Sequence, residues 1–309
     1  MFYDLFTILS RPYIIKAFIV GLTMALSGSL LGVSLVLKKQ SMIGDGLSHV
    51  GFGAVAIACC IGVAPLALAI PLVIISSIFI MFISQKNKYI NESSIALFST
   101  IALAIGYAAI ELSSGVNFNI SSYLYGSLLG CSVTDCVLSI IICLIVVGVY
   151  VVLYNKIFSV TFDETFAKSQ GINTNLINLL LSILTSLTVV IGMKVMGALL
   201  ITALIIFPTI SSRQLFKSFK NVLIFACIFG AVSFSIGIIT SCIIDRLPIG
   251  SSIVFVNFIC FIICYIIGRI RLHKSIRNEW YKYHLFFYNF FIDYIFVSCY
   301  NHYCIWMSQ

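Results

Sequence analysis

The sequence predicts an all-α integral membrane protein, a polytopic bundle of about eight or nine transmembrane helices. Apolar residues make up 61% of the chain, charged residues 9%, and the mean hydropathy is +1.13. One soluble core cannot bury that much apolar surface, whereas bilayer hydrocarbon solvates it. Runs of about 20 apolar residues, the length that crosses a bilayer as a helix, recur about nine times before residue 268. The alternation over about ten residues that marks the strands of a membrane barrel is absent.

In chain order the expected spans lie near 12–36, 42–60, 64–83, 94–112, 134–154, 176–193, 195–212, 221–244 and 251–268. The first is long and runs directly into Lys38 and Lys39, unlike a cleaved secretory segment. The first two are rich in small residues, from Ser27-Gly28-Ser29 and Gly32 to Gly44, Gly46, Gly51 and Gly53. Such residues let helices approach closely in lipid. Pro208 is expected to kink the seventh span or to end it early. An eight-span variant, with one segment re-entrant, satisfies the same hydropathy.

The net charge of +8 would suit a nucleic-acid partner in a soluble chain. Here it follows the positive-inside rule, and no nucleic acid is expected. If the first span runs inward, one side collects Lys38, Lys39, Lys86, Lys88, Lys156, Lys168, Arg213, Lys217 and Lys220, together with five basic residues after position 268. The other side keeps Arg11, Lys16, Lys194 and Arg246 of the 18 basic residues. The N-terminus is therefore expected outside and the C-terminal tail in the cytoplasm. The 11 cysteines form no zinc-site spacing, and most sit within apolar helices as small hydrophobes. Cys131 and Cys136 fall near the outer face, where a disulfide is the less favoured reading.

The cytoplasmic break Asn155–Asn175 contains Phe162-Asp163-Glu164-Thr165-Phe166-Ala167-Lys168 and closes on Gly171. Acidic residues at its start, Lys168 four residues after Glu164 and a terminal glycine predict a short helix with a Phe162/Phe166 face. By these signals it is either a plain interfacial helix or a docking element.

Ionisable groups at membrane depth are costly unless paired or hydrated, so they carry the functional signal. Of four histidines only His49 lies in a span, and Asp45 stands four residues before it, on the same helix face. Counted from Lys38 and Lys39 at about 1.5 Å per residue, Asp45 lies roughly 10 Å deep and His49 roughly 16 Å, near the middle of the hydrocarbon. A carboxylate and an imidazole suit Mn²⁺, Fe²⁺ or Zn²⁺. Two ligands do not close a site, whereas a symmetry-related copy supplies four; incomplete coordination suits an ion that must be released. The competing role is a structural Asp–His pair. H-E-x-x-H and G-x-x-x-x-G-K-[ST] are both absent. No catalytic residue or permanent cofactor is therefore expected, and any ATP must be bound by another polypeptide.

The sequence resembles the permeases of bacterial ATP-binding-cassette importers for zinc, manganese and iron. The likeness rests on Gly28-Ser29-Leu30-Leu31-Gly32 leading through Leu37-Lys38-Lys39 to Gly44-Asp45-Gly46-Leu47-Ser48-His49. It continues through Ser122–Gly130, Phe162–Gly171, Val195-Met196-Gly197-Ala198-Leu199-Leu200 with Pro208, and Asp245–Gly250. The resemblance implies a permease homodimer in the bacterial plasma membrane, cytoplasmic ATP-binding subunits and an extracytoplasmic metal-binding protein. It implies that Asp45 and His49 lie on the metal path. It also implies that Phe162, Asp163, Glu164, Phe166, Ala167 and Gly171 belong to the segment seated in the ATPase. Residues 1–268 then form the transmembrane permease domain, and 269–309 a cytoplasmic or interfacial tail rich in aromatic residues that departs from the family pattern. Two other functions remain at this point: a proton-coupled secondary metal transporter and a non-transporting membrane scaffold subunit.

Overall fold

The computed structural model describes residues 11–86, 91–113, 126, 128–244 and 247–271. Among these, nine helices are long and apolar enough to cross a membrane. They are α1 (Pro12–Leu37), α2 (Ile43–Ile61), α3 (Pro65–Lys86), α4 (Asn91–Leu112), α5 (Val133–Val152), α8 (Thr174–Met196), α9 (Ala198–Leu215), α10 (Phe219–Ile243) and α11 (Ile249–Arg271). Two short helices, α6 (Tyr154–Phe162) and α7 (Glu164–Ser169), connect α5 to α8. No strand occurs among the described residues.

Burial is graded across the bundle. The apolar windows of α1 and α2 are each 72% buried and that of α8 67%, against 17% for α4 and for α11. The first two and the sixth spans thus form the centre, α9 and α10 pack half-buried against it, and α4 and α11 present most of their apolar surface outward. α1 is the hub, packed against α5, α8, α9 and α10. Small residues make that packing close: a Cβ on Gly32 would lie 2.1 Å from the Ile205 carbonyl oxygen of α9. On α2, a Cβ on Gly53 would lie 2.6 Å from the Ala102 oxygen, and Gly106 opposes it on α4. Backbone meets backbone at both crossings, so neither tolerates a side chain.

The helix ends follow local chemistry. Ser132 and Asp135 form a reciprocal capping box at the start of α5, and Asn173 accepts from the Leu176 N–H at the start of α8. Gly197, at φ 86°, is the single residue between α8 and α9. The two helices fold back on each other there, since a Cβ on Gly192 would strike Ile201.

Several expectations change in detail. The chain between α5 and α8 holds two helices rather than one, because the fifth span stops at Val152 and α6 follows it at once. Asp163 is the break between them and caps α7, so Phe162 ends α6 instead of opening the docking helix. Pro208 does not end its helix, since α9 continues to Leu215. α11 extends to Arg271, past the expected end at 268. The remainder of the tail, most of the 113–127 loop and Asp245-Arg246 lie outside the described residues.

Candidate functional site

Asp45 sits in the first turn of α2 and His49 one turn later. The carboxylate Oδ2 and imidazole Nε2 are 3.6 Å apart, too far for a good hydrogen bond. His49 Nδ1 is buried and has no partner. The His49 side chain is 26% exposed and that of Asp45 42%. Glycines flank the pair on the same helix: Gly46 and Gly53 pack on α4, while Gly44 and Gly51 pack on Ile205 and Met193. These contacts seat α2 in the bundle by its sides and leave the Asp45/His49 stripe partly open. With metal–ligand bonds of about 2.1 Å, donor atoms at this separation would subtend roughly 120° at a shared ion. One divalent cation therefore fits within bonding reach of both. Among the described residues no group of three or more His, Cys, Asp and Glu side chains comes together. A single chain thus offers a pair of donors and an open coordination sphere.

The loop that leads into α2 is anchored to α8 by one partly buried side chain. Lys38 donates from Nζ to the Asn178 Oδ1 on α8. Burial pulls its ammonium down to about 8, and the charge of Glu164 on α7 works in the opposite direction. Lys38 was expected at the aqueous surface on its charge alone; the structure instead turns its ammonium onto α8, where it is partly buried. Lys39 takes the left-handed conformation at φ 59°. The turn is closed by hydrogen bonds from Lys39 N to Val36 O at 3.1 Å, Gln40 N to Leu35 O at 2.9 Å and Ile43 N to Gln40 O at 3.2 Å.

α7 lies at the same end. Asp163 Oδ1 accepts from the N–H groups of Thr165 at 2.9 Å and Phe166 at 3.0 Å. Glu164 pairs with Lys168 at 3.3 Å. Ala167 is fully buried, whereas Phe162 and Phe166 are 58% and 55% exposed. Gly171, at φ 77°, closes the helix, and Ile172 N donates back to Ala167 O. Phe162 also stacks with Phe158 and Phe219, with ring centres 5.0 and 5.8 Å away, tying the segment to the start of α10. All six residues expected in the docking segment therefore lie in or beside one short, capped helix with an open aromatic edge.

The opposite end holds a site that the sequence reading missed. Asp135 of α5 is buried and accepts from Lys194 Nζ of α8 at 2.6 Å and from Ser132. Beside it lies a cavity of about 200 Å³ lined by Val55, Ala64, Pro65, Leu66, Met193 and Lys194. Lys194 was expected on the outer side of the membrane, with no partner assigned to it. The Ser-x-x-Asp spacing of the capping box was the one signal available for Asp135, and nothing local to either residue reveals a partner 59 positions away. Cys131 and Cys136 are free thiols.

A buried helical hub, a polar pair on one central helix and an exposed short helix at one end together define a polytopic membrane transport protein. The chain belongs to the ABC 3 transport family, whose pattern matches residues 10–268. It is 27% identical over 247 residues to the high-affinity zinc uptake system membrane protein ZnuB of Haemophilus influenzae, covering 80% of this chain and 94% of that protein. It is 28% identical to the manganese transport system membrane protein MntC of Halalkalibacterium halodurans, covering 81% and 85%. The fold matches that of PsaBC from Streptococcus pneumoniae, solved in complex with a Fab, with a TM-score of 0.75 at 23% identity over 86% of this chain and 95% of that one. The family is the one to which the sequence motifs pointed.

Proposed function

We propose that this chain is the membrane permease of an ATP-driven importer of divalent metal ions, Zn²⁺, Mn²⁺ or Fe²⁺, and that Asp45 and His49 bind the ion as cargo during its passage. The observation that carries the reading is the pair itself. A carboxylate oxygen and the imidazole Nε2 stand 3.6 Å apart without a hydrogen bond between them, and both side chains are partly open. The relatives are named for zinc and manganese transport, and an oxygen–nitrogen donor pair suits both.

Two donors from one chain become four when a second copy meets the first across the partly open stripe of α2. The open aromatic edge of α7 is the docking surface for a cytoplasmic ATP-binding subunit. That orientation puts the N-terminal end of α1 and the Asp135–Lys194 end outside, where an extracytoplasmic metal-binding protein delivers the ion.

The test is uptake per assembled transporter. Asp45→Asn removes the charge that offsets the cation's desolvation, and His49→Ala removes an imidazole that no neighbour replaces. Each should cut metal uptake by at least about tenfold, the effect of about 1.4 kcal/mol, at an unchanged amount of folded, ATPase-bound protein. Normal uptake per complex in both variants would sink the metal assignment. Equal loss of uptake and abundance would mark the pair as structural.

A further inference from the structure

We propose that α2 and α4 move as one rigid body that carries the metal pair and slides over α3, α8 and α9, with Met193 as the contact that yields. The inference rests on the function proposed above. The two helices run parallel in a fixed register: Gly46 faces Ile95, Gly53 faces Ala102 and Cys60 faces Ala109, one rung every seven residues. A Cβ on Gly46 would lie 2.7 Å from Ile95 Cγ2, and one on Gly106 would lie 2.8 Å from Gly53 Cα. Cys60 Sγ donates to Ala109 O at 3.3 Å. At about 1.5 Å per residue the rungs span roughly 21 Å of α2, and Asp45 and His49 stand on either side of the first. Where backbone meets backbone there is no side chain whose rotamer can change, so this seam resists slipping.

The other sides of α2 are held differently. A Cβ on Gly44 would meet the Ile205 Cδ1 tip of α9 at 3.1 Å, and one on Gly51 would meet Met193 Cε and Sδ of α8 at 2.9 and 3.2 Å. Toward α3 the same Gly51 position meets Val73 Cγ2 at an ordinary 3.7 Å. These neighbours are side-chain ends, which can turn while the backbones behind them stay in place. Methionine, unbranched and with three rotatable bonds, adapts most readily. α3 is itself tied to α8, Ser77 Oγ donating to Ser182 O at 3.3 Å. Room for a displacement lies at the same place: the cavity of about 200 Å³ sits where α2, α3 and α8 meet, between Val55, Leu66, Val190 and Met193. A void beside a methionine can absorb a helix shift that a close-packed contact would oppose. Small sliding of packed helices is the shear class of motion. It displaces Asp45 and His49 together, because both ride on α2.

The test uses the whole importer, reconstituted in liposomes with its ATP-binding subunit and a delivery protein loaded with radiolabelled Zn²⁺ or Mn²⁺. Uptake and ATP hydrolysis are read in the same sample. In a background without other reactive cysteines, Ala109→Cys pairs with the native Cys60. Oxidising that pair should leave uptake and hydrolysis close to those of the same sample after reduction. Val190→Phe fills the cavity. It should keep the folded amount and the thermal midpoint, yet cut uptake and hydrolysis by about tenfold or more, within the range of coupling between distant sites. Should the Phe variant fold poorly, Val55→Cys/Val190→Cys bridged across the cavity by a short bis-methanethiosulfonate carries the same test, with reductant restoring activity. Loss of activity on oxidising the α2–α4 pair overturns the proposal. So does normal activity in the filled or bridged protein. A parent that hydrolyses ATP without moving metal overturns the function proposed above instead, and the cross-links are then judged on hydrolysis, which needs no cargo.

Discussion

Single side chains in this protein fall into two kinds, those whose partners lie one helical turn away and those paired across the bundle. Asp45 and His49 are of the first kind, and Asp135 and Lys194 of the second. The latter pair sits 2.6 Å apart with Asp135 buried in the capping box of α5. Lys194→Met leaves a buried carboxylate without its cation and should cost about 1–3 kcal/mol, since Lys194 is 36% exposed and Asp135 keeps its bonds from Ser132, whereas neutralising both partners removes the penalty. The checkable outcome is the thermal midpoint of the purified protein in detergent: lowered in Lys194→Met, and largely restored in Asp135→Asn/Lys194→Met. A double variant no more stable than the single one would show that the pair is not an energetic unit. Metal uptake in the restored variant should stay near that of the parent, because the pair touches neither Asp45 nor His49.

Helix α7 shows how much one short element depends on its ends. Six residues form too little helix to persist alone, and the Asp163 cap, the Gly171 turn and the buried Ala167 hold it. Asp163 is thus structural as well as charged, and reversing its sign would remove the cap along with the charge. Asp163→Asn keeps the cap, since Asn is as good an N-cap as Asp, and should leave ATPase docking almost unchanged. Phe166→Asp disturbs no buried contact of the permease, because the ring is 55% exposed, and should abolish co-purification of the ATP-binding subunit. Undiminished co-purification of that subunit with the Phe166 variant would remove α7 from the interface. The crossings of α1 with α9 and of α2 with α4 depend on the same exactness of fit: Gly32 and Gly53 face carbonyl oxygens at distances that admit no Cβ.

For the molecule as a whole, an odd number of spans puts α7 and the start of α1 at opposite ends. Val63, in the turn after α2, is exposed at the end away from α7, and Ser169 is exposed on α7 itself. In a background stripped of reactive cysteines, Val63→Cys should be modified by an impermeant thiol reagent applied to intact cells, and Ser169→Cys should not. The reverse pattern would invert the protein in its membrane and put α7 on the side where no ATP-binding subunit can reach it. Burial is graded from the central α1, α2 and α8 to the peripheral α4 and α11, as expected of a bundle whose outer helices are apolar on the side away from the core.

Hydropathy, charge bias and spacing carried the all-α membrane fold and the order of its eight or nine spans, of which nine occur among the described residues, because in lipid every backbone group must be satisfied within its own helix. Each span is therefore a local property of about 20 consecutive residues. Asp45 and His49 could be read for the same reason, one turn of one helix placing them together, and so could the capped Phe166 helix. The bond from Lys38 to Asn178, the Asp135–Lys194 pair and the division of the 155–175 segment by Asp163 came from the tertiary structure. Lys38 and Asn178 are 140 residues apart, and no periodicity links them. A charge near a helix end looks the same in sequence whether it reaches into water or into the bundle. Only the packing of α1 against α8 decides which, because desolvation depends on what surrounds a group in space and not on its neighbours in the chain.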